Sequence, residues 1–269
     1  MQDTEKVHLP VLPTGKPHIS FSELATWLDC SWKHNLVYIQ GLQTFDGNEN
    51  TFFGGHVHEG CENYIKTGKM EIDPILVKIS DTWNKRGYQD KDDWITSAAR
   101  ILTDVPTWMS TTFPNWEPIG AEIPLYENLN HVGHDDVSWK GYIDAAIKYN
   151  NSRGKQLIHI LDWKTTNWGW KVEKLREFKT NAQVASYKIF WSRKFDVDMK
   201  DIKAGYVLLK RMAKQGASCQ LIDVSVGPKM QQNVNEAIAK MVRSIKAGIK
   251  MKNRLSCEYC EFKGTEHCP

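Results

Sequence analysis

The sequence has no long hydrophobic run and no strong excess of charge of either sign. No segment approaches the roughly 18 apolar residues of a membrane-spanning helix, and the first 17 residues lack the apolar core of a secretion signal. There is also no internal repeat and no low-complexity tract. We therefore expect an intracellular, cytoplasmic protein with no membrane partner, in a compartment where thiols stay reduced.

The composition is that of an ordinary globular protein. The 269 residues are 41% hydrophobic and 25% charged, and the net charge of +3 says little about partners. This length suits one large domain, or a core domain that carries an insertion. Residues 240–254 hold six basic side chains and no acidic one. They could follow a phosphate backbone or form a solvated helix face, and both readings stay open.

Hydrophobic periodicity predicts helices first and a sheet afterwards, which indicates a mixed α/β fold. Residues 1–17 are read as an extended arm. Ser20 and Glu23 form a capping box that starts a helix running to about Val37. The further predicted helices cover 53–66, an insertion at about 70–118, 180–193 and a last amphipathic helix around 234–249. The predicted strands cover 121–129, 137–149, 155–165, 204–211 and 220–226.

Two acidic residues stand on consecutive predicted strands, and a lysine follows the second. Asp144 lies in GYID, Asp162 lies in LDWKT, and Lys164 is two residues beyond Asp162. Because strand side chains alternate, Asp162 and Lys164 share one face. Two converging carboxylates suit Mg²⁺ or Mn²⁺, and an adjacent ammonium can assist attack on a phosphodiester. A D-x-K pattern alone is common on solvated strands, but this one interrupts a run too apolar for an exposed edge.

Three other polar features are read as structural. His56 is interpreted as a surface residue. His134, Asp135 and Asp136 follow a glycine and are interpreted as a polar turn, and Glu122 as a strand residue.

Three of the six cysteines lie at the end of the chain. Cys257, Cys260 and Cys268 form C-x₂-C-x₇-C, a spacing typical of metal ligands that leaves a tetrahedral site one ligand short. In a zinc site, His267 could be the fourth ligand. Cys61 lies on the apolar face of a predicted helix and is assigned to the core.

The order FGGHVHEG, GYID, LDWKT and QVASY resembles the RecB-like branch of the PD-(D/E)XK nuclease superfamily. It is similar to CRISPR-associated RecB-like and AddB-type iron–sulfur exonucleases and to phage exonucleases. The resemblance implies a restriction-endonuclease-like core, a mixed sheet flanked by helices, within a single domain at 18–269. The segment 255–269 would close onto Cys30 in the first helix.

The resemblance also implies roles for particular residues. His58, Asp144, Asp162 and the backbone carbonyl of Trp163 would bind the metal, and Lys164 would be the catalytic lysine. Gln183 and Tyr187 would hold the active site or the DNA backbone. Cys30 would join the three C-terminal cysteines around a [4Fe–4S] cluster, with Zn²⁺ as the alternative.

These features together predict a metal-dependent deoxyribonuclease, an exonuclease in recombination, repair, or phage or CRISPR DNA processing. Lysines and tryptophans that follow Asp162 favour DNA with single-stranded or frayed ends; they are Lys164, Lys171, Lys174 and Lys179 with Trp163, Trp168 and Trp170. Recombination or CRISPR proteins, or a second copy of the chain, are the possible protein partners. The alternatives are a catalytically silent DNA-binding or assembly subunit and a zinc-containing nucleic-acid adaptor.

Overall fold

A computed structural model describes residues 12–42 and 46–269, which form both strands and helices. The strands are β1 (His18–Ser20), β2 (Glu117–Leu129), β3 (His134–Asn150), β4 (Gln156–Thr166), β5 (Ile202–Lys210) and β6 (Cys219–Asp223). The helices are α1 (Phe21–Asp29), α2 (Ser31–His34), α3 (Glu49–Thr67), α4 (Asp73–Arg86), α5 (Lys91–Thr112), α6 (Val172–Arg176), α7 (Phe178–Phe195) and α8 (Pro228–Lys246).

The chain divides into two compact units. The terminal unit comprises the described residues up to 42 together with 125–141 and 228–269. The central unit comprises 46–124 and 142–227. All the predicted catalytic residues lie in the central unit, and the four predicted cluster cysteines lie in the terminal unit.

The central unit is built on a mixed sheet. The second half of β3 pairs antiparallel with β4, β4 pairs parallel with β5, and β5 pairs antiparallel with β6. Parallel neighbours need a crossover, and α6 and α7 supply it between β4 and β5. Helix α7 packs on both of these strands. The crossover therefore places α7 over the strand that carries Asp162.

The helices α3, α4 and α5 form the other main body of the central unit and share its hydrophobic core. Buried Trp163 and Leu209 of the sheet belong to this core, together with Phe53, Ile101 and Trp83 of the three helices. Because side chains alternate along β4, Trp163 faces this core while Asp162 and Lys164 face the other way. The segment of the predicted insertion, about 70–118, contains α4 and α5, and β2 begins within it at Glu117.

Helix α3 approaches the sheet closely because Gly54 has no side chain. A Cβ atom on Gly54 would lie 2.9 Å from the Thr165 hydroxyl oxygen, and one on Gly60 would lie 2.8 Å from a methyl carbon of Leu102. Both distances are shorter than carbon side chains tolerate. Gly54 and Gly60 of this helix, which also carries His58, therefore set how near α3 lies to β4 and α5.

In the terminal unit the helix predicted from Ser20 to about Val37 is interrupted. Ser20 caps α1 as expected, accepting a hydrogen bond from the Glu23 N–H at 3.2 Å. The chain leaves the helical conformation at Cys30, which is extended (φ −164°, ψ 113°). After the short α2, residues Asn35–Ile39 form a π-helical turn. The prediction of one continuous helix was wrong because Met251 takes the backbone and side-chain donors that follow Cys30, those of Trp32 and Ser31.

Two other sequence predictions, the N-terminal arm and the polar turn, can be compared with the structure of this unit. Most of the predicted extended arm, residues 1–11, lies outside the described residues, and 12–17 form a turn in which Gly15 N–H donates to Leu12 O at 2.8 Å. The turn predicted at His134–Asp136 ends one residue earlier, at Gly133 (φ 83°), and β3 begins at His134. Among the described residues, no helix has the length and apolar character needed to cross a bilayer.

A buried aspartate holds the β5–β6 connection against α5. The Asp104 carboxylate accepts hydrogen bonds from the N–H groups of Gly216 (2.9 Å) and Ser218 (3.1 Å) and from the side chain of Gln215. Only 6% of Asp104 is exposed.

We predict that Asp104→Ala lowers the free energy of unfolding by about 2–4 kcal/mol, because it removes the acceptor of three donors, of which the Ser218 N–H is buried. Urea denaturation followed by circular dichroism measures this. Asp81→Ala on the exposed face of α4 is the matched control and should change the midpoint little. Equal midpoints for the two variants would contradict the assignment.

Candidate active site

The two predicted acidic residues face each other across neighbouring strands. The β3–β4 register pairs Ala145 with Leu161, so the next pair in the ladder would be Asp144 with Asp162. Here the Asp144 carboxylate, rather than a backbone carbonyl, accepts the Trp163 N–H at 2.8 Å. Regular pairing therefore stops at the point where the two carboxylates meet, and the carboxylates are left facing the site.

Burial and mutual repulsion make this pair electrostatically unfavourable without a cation. Asp162 is 1% exposed. Burial raises the pKa of Asp162, and burial together with the negative charge of Asp162 raises the pKa of Asp144 well above its usual range. The site thus favours any positive charge that lies between the two carboxylates.

Lys164 supplies one such charge. Its Nζ lies 2.6 Å from Asp162 Oδ2, on the same face of β4. Burial on its own would lower the pKa of Lys164, but the Asp162 charge and hydrogen bond, with a contribution from Asp144, raise it overall. The lysine is therefore protonated at neutral pH, and one ammonium serves two carboxylates.

Helix α7 contributes the two predicted polar residues. Gln183 Nε2 donates to Asp162 Oδ1 at 2.9 Å and lies 3.2 Å from the Tyr187 hydroxyl. Tyr206 on β5 donates its hydroxyl proton to the Thr180 carbonyl at 2.5 Å, and its oxygen lies 3.4 Å from Gln183 Oε1. Burial, and then the Asp162 charge, raise the pKa of both tyrosines. Gln183 thus contacts the Asp162 carboxylate directly and Tyr187 contacts Gln183, and the roles predicted for the two residues stay predictions.

His58 on α3 is the fourth predicted member. Its Nε2 is buried and has no hydrogen-bond partner among the described residues. Burial, with a smaller effect of the Lys164 charge, lowers the pKa of His58 to about 4. The imidazole is therefore neutral at pH 7, which is the form that binds metals. His56, in contrast, bonds through Nε2 to the Thr82 hydroxyl at 2.9 Å, consistent with the structural role assigned to it.

These residues have the donor chemistry of a divalent cation site. Across residues 12–42 and 46–269, no three His, Cys, Asp or Glu side chains are grouped as they would be around a metal ion. The donors nevertheless fit one: two carboxylates whose charge a single lysine only partly balances, and a neutral imidazole nitrogen with no other partner. Carboxylate oxygens and a neutral imidazole nitrogen are ligand types that a divalent cation accepts.

The charge of Glu122 acts on the candidate active site, which its position in the sequence does not indicate. It belongs to β2 but has φ 52°, a left-handed conformation that costs energy for a residue with a side chain. Burial raises the pKa of Glu122, and its charge in turn helps to raise the pKa values of Asp144 and Tyr187. The sequence reading of Glu122 as structural missed this proximity, since a strained φ leaves no pattern in the sequence.

Comparison with known proteins identifies the family. The family model described as the PD-(D/E)XK nuclease superfamily matches residues 18–268. The chain belongs to the PD-(D/E)XK nuclease superfamily. Among solved structures, the chain is similar to the crystal structure of a "Putative exonuclease" from Eubacterium rectale, with a TM-score of 0.58 and 14% identity over 97% of this chain and 92% of that one. No curated protein matches the sequence.

Superfamily membership fits the fold and supports a nuclease that acts on nucleic acid. The mixed sheet flanked by helices is the restriction-endonuclease-like architecture that the sequence predicted, and that prediction is confirmed. At 14% identity, the structural likeness to the Eubacterium rectale protein concerns the fold alone. The branch within the PD-(D/E)XK superfamily stays a prediction.

Aromatic and basic residues continue from the end of β4. Trp163 is 1% exposed and belongs to the core, whereas Trp168 is 63% exposed. Trp170 packs on Tyr206 with ring centroids 4.9 Å apart, and Lys174 Nζ lies 4.5 Å from the Trp170 ring centre. In this member of the PD-(D/E)XK superfamily, then, only part of the predicted aromatic set is accessible to a nucleic-acid base.

In the terminal unit, three of the predicted cluster cysteines share neighbours, although no three cysteines of the described residues are grouped as around a metal. Asn253 N–H donates to Cys30 Sγ at 3.3 Å, and Cys257 Sγ donates to Asn253 O at 3.6 Å. Cys257 and Cys268 line one cavity of about 410 Å³ together with Lys252, Arg254 and Lys263. These contacts join the C-terminal segment to the region of Cys30, and all four thiols are free.

The charge balance of the carboxylate pair leads to a prediction about metal binding. We expect Mn²⁺ to raise the melting temperature of the wild-type protein. At a free Mn²⁺ concentration one hundred times the dissociation constant, the free energy of unfolding should increase by about 2.7 kcal/mol. Asp144→Asn should abolish this response while raising the melting temperature without metal. Burial and the Asp162 charge raise the pKa of Asp144, so keeping this group in the folded protein costs stability above its unfolded pKa, and an asparagine removes that cost.

The matched control is Asp198→Asn, on the surface near β5. It should keep the Mn²⁺ response of the wild type. Differential scanning calorimetry with and without Mn²⁺ measures both effects, and an unchanged response in Asp144→Asn would contradict a metal at this position.

Proposed function

We propose that this protein is a divalent-metal-dependent deoxyribonuclease that degrades DNA from an end. The observation that carries the proposal is the buried pair Asp144 and Asp162, shared by Lys164 and left short of positive charge. Because the chain belongs to the PD-(D/E)XK nuclease superfamily, we infer that the substrate of this site is a nucleic acid. The cytoplasm, which the sequence predicts, is the proposed location of this activity.

The metal would be held by His58, Asp144 and Asp162, with the backbone carbonyl of Trp163. Mg²⁺ or Mn²⁺ suits this set because it contains two carboxylate oxygens. When bound, such an ion polarises the phosphate and lowers the pKa of a coordinated water. Neutral His58 supports the assignment, since a protonated ring could not ligate.

The protein's own residues position and charge the reacting groups. Lys164 is protonated, so it orients the attacking water through a hydrogen bond or stabilises the negative charge that develops on the phosphate. Gln183 fixes the rotamer of Asp162 by donating to Oδ1 at 2.9 Å. It thereby holds one carboxylate oxygen in place while the other contacts Lys164.

Exposed groups beyond β4 favour DNA with single-stranded or frayed ends. Trp168 presents an exposed ring on which a base can stack, and Lys174 adds charge beside Trp170. The basic stretch 240–254 adds further cations in the terminal unit. The resemblance to RecB-like enzymes and the fold shared with a "Putative exonuclease" support attack from an end. Recombination, repair, and phage or CRISPR DNA processing are the pathways consistent with this chemistry.

Cys30, Cys257, Cys260 and Cys268 are proposed to hold a [4Fe–4S] cluster that ties the C-terminal segment to the first helix. The contacts of Cys30 and Cys257 with Asn253 support it, as do the three cations around the Cys257–Cys268 cavity, because a thiolate-ligated cluster is anionic. His267 is the competing ligand for a zinc site. Its carbonyl accepts from Trp32 Nε1 at 3.1 Å, so its backbone is already fixed to α2.

The catalytic proposal is tested by degradation of end-labelled oligonucleotides in Mn²⁺. We expect Lys164→Met to reduce the rate by at least about 100-fold, because the side chain keeps its bulk and loses its charge. Lys148→Met is the matched control: it removes a lysine of the same sheet whose partner is the surface residue Glu117. Equal rates for Lys164→Met and the wild type would contradict the proposal and favour a catalytically silent DNA-binding subunit.

The cluster is tested by metal analysis and visible absorption of anaerobically purified protein. We expect a brown protein that contains iron, and Cys257→Ser should lose both the colour and the iron. Cys219→Ser, outside the proposed ligands, should keep both. A colourless protein that contains zinc would instead support the adaptor-type zinc site.

A further inference from the structure

A cavity in the terminal unit combines buried donors with a lysine at its rim. It measures about 170 Å³ and is lined by α1, the π-helical turn and the end of α8, with Lys250 beyond that helix. Lys250 is exposed, so the cavity is accessible from solvent. None of the described residues that line it carries a carboxylate. No residue of the proposed catalytic set belongs to this unit.

Two hydrogen-bond donors at this cavity have no acceptor among the described residues. They are Nδ2 of Asn35, which is 3% exposed, and Nε1 of Trp27, and both atoms are buried. The orientation of the Asn35 amide is fixed, because Lys250 Nζ lies 3.2 Å from Oδ1 and can only donate. The unsatisfied group is therefore the NH₂. Indole Nε1 also only donates, so both residues require an acceptor.

The backbone at Asn35 is also unusual. Asn35–Ile39 form a π-helical turn that closes when Gln40 N–H donates to Asn35 O at 2.9 Å. Such turns are rare and occur frequently at functional sites. The turn places Asn35 at the cavity, next to the His34–Glu23 pair, in which Nε2 and Oε1 lie 2.9 Å apart. The Glu23 carboxylate beside the lining residue His34 is thus already partnered.

We propose that this cavity binds an oxyanion, the phosphate group of a nucleic acid, at a position separate from the catalytic carboxylates. Asn35 Nδ2 and Trp27 Nε1 donate hydrogen bonds to phosphate oxygens, and Lys250 provides the positive charge. Two neutral donors beside one cation suit a phosphate better than water alone, since water would leave the lysine charge unbalanced. The choice of nucleic acid as the source of the phosphate rests on the proposed nuclease function, whereas the oxyanion site itself does not.

The site is tested by NMR of protein carrying ¹⁵N-labelled tryptophan, with the Trp27 indole signal assigned from Trp27→Phe. Inorganic phosphate should shift this signal in a saturable manner. Lys250→Met should weaken the binding at least about tenfold, through loss of one charge-assisted hydrogen bond. Asn35→Asp should abolish it by placing a negative charge in the cavity. Lys240→Met, a lysine of the same basic stretch that does not line the cavity, should bind as the wild type does.

The source of the phosphate is distinguished with oligonucleotides in a Lys164→Met background, which prevents cleavage. A shift with 5′-phosphorylated but not 5′-hydroxyl oligonucleotide identifies a terminal phosphate, and a shift with both identifies backbone phosphates. A shift with inorganic phosphate alone would support the site but overturn nucleic acid as its ligand. A Trp27 signal that does not respond to any of these would overturn the proposal, whatever the nuclease assay shows, because phosphate binding is measured without catalysis.

Discussion

The central unit depends on a repulsion that the fold does not relieve by itself. Asp144 and Asp162 meet where the β3–β4 ladder ends, and Lys164 is the single cation bonded to the pair. Folding brings the two carboxylates out of water and raises both pKa values, which costs stability at neutral pH. A site held in this state by the surrounding core favours a further positive charge, which the proposed metal ion would supply.

The surrounding elements make that cost tolerable. The parallel pairing of β4 with β5 requires a crossover, and the crossover helix α7 delivers Gln183 to Asp162. On the opposite side of β4, Trp163 and the helices α3–α5 form a closely packed core, with Gly54 allowing α3 to approach the strand. One strand therefore carries the site on one face and the main hydrophobic stabilisation on the other. Mutations that loosen this core would also displace the carboxylates.

In the terminal unit, polar groups of the first two helices bond to the C-terminal segment. Contacts between the C-terminal segment and α1–α2 replace a continuous helix with a break at Cys30, and the donors of Ser31 and Trp32 turn to Met251. The break frees the Cys30 thiol for the Asn253 N–H and precedes the π-helical turn at Asn35. Both the proposed cluster and the proposed phosphate cavity thus depend on the same interruption of regular helix.

The sequence by itself determined the catalytic candidates and most elements. Alternation placed Asp162 and Lys164 on one face, and periodicity located α3, α7 and the strands, because both signals are local. The tertiary structure alone decided which groups interact. The coupling of Asp144 with Asp162, the approach of Glu122 with its strained φ, the helix break at Cys30 and the unsatisfied Asn35 amide all depend on residues distant in sequence. Long-range packing, which no local pattern encodes, sets these contacts.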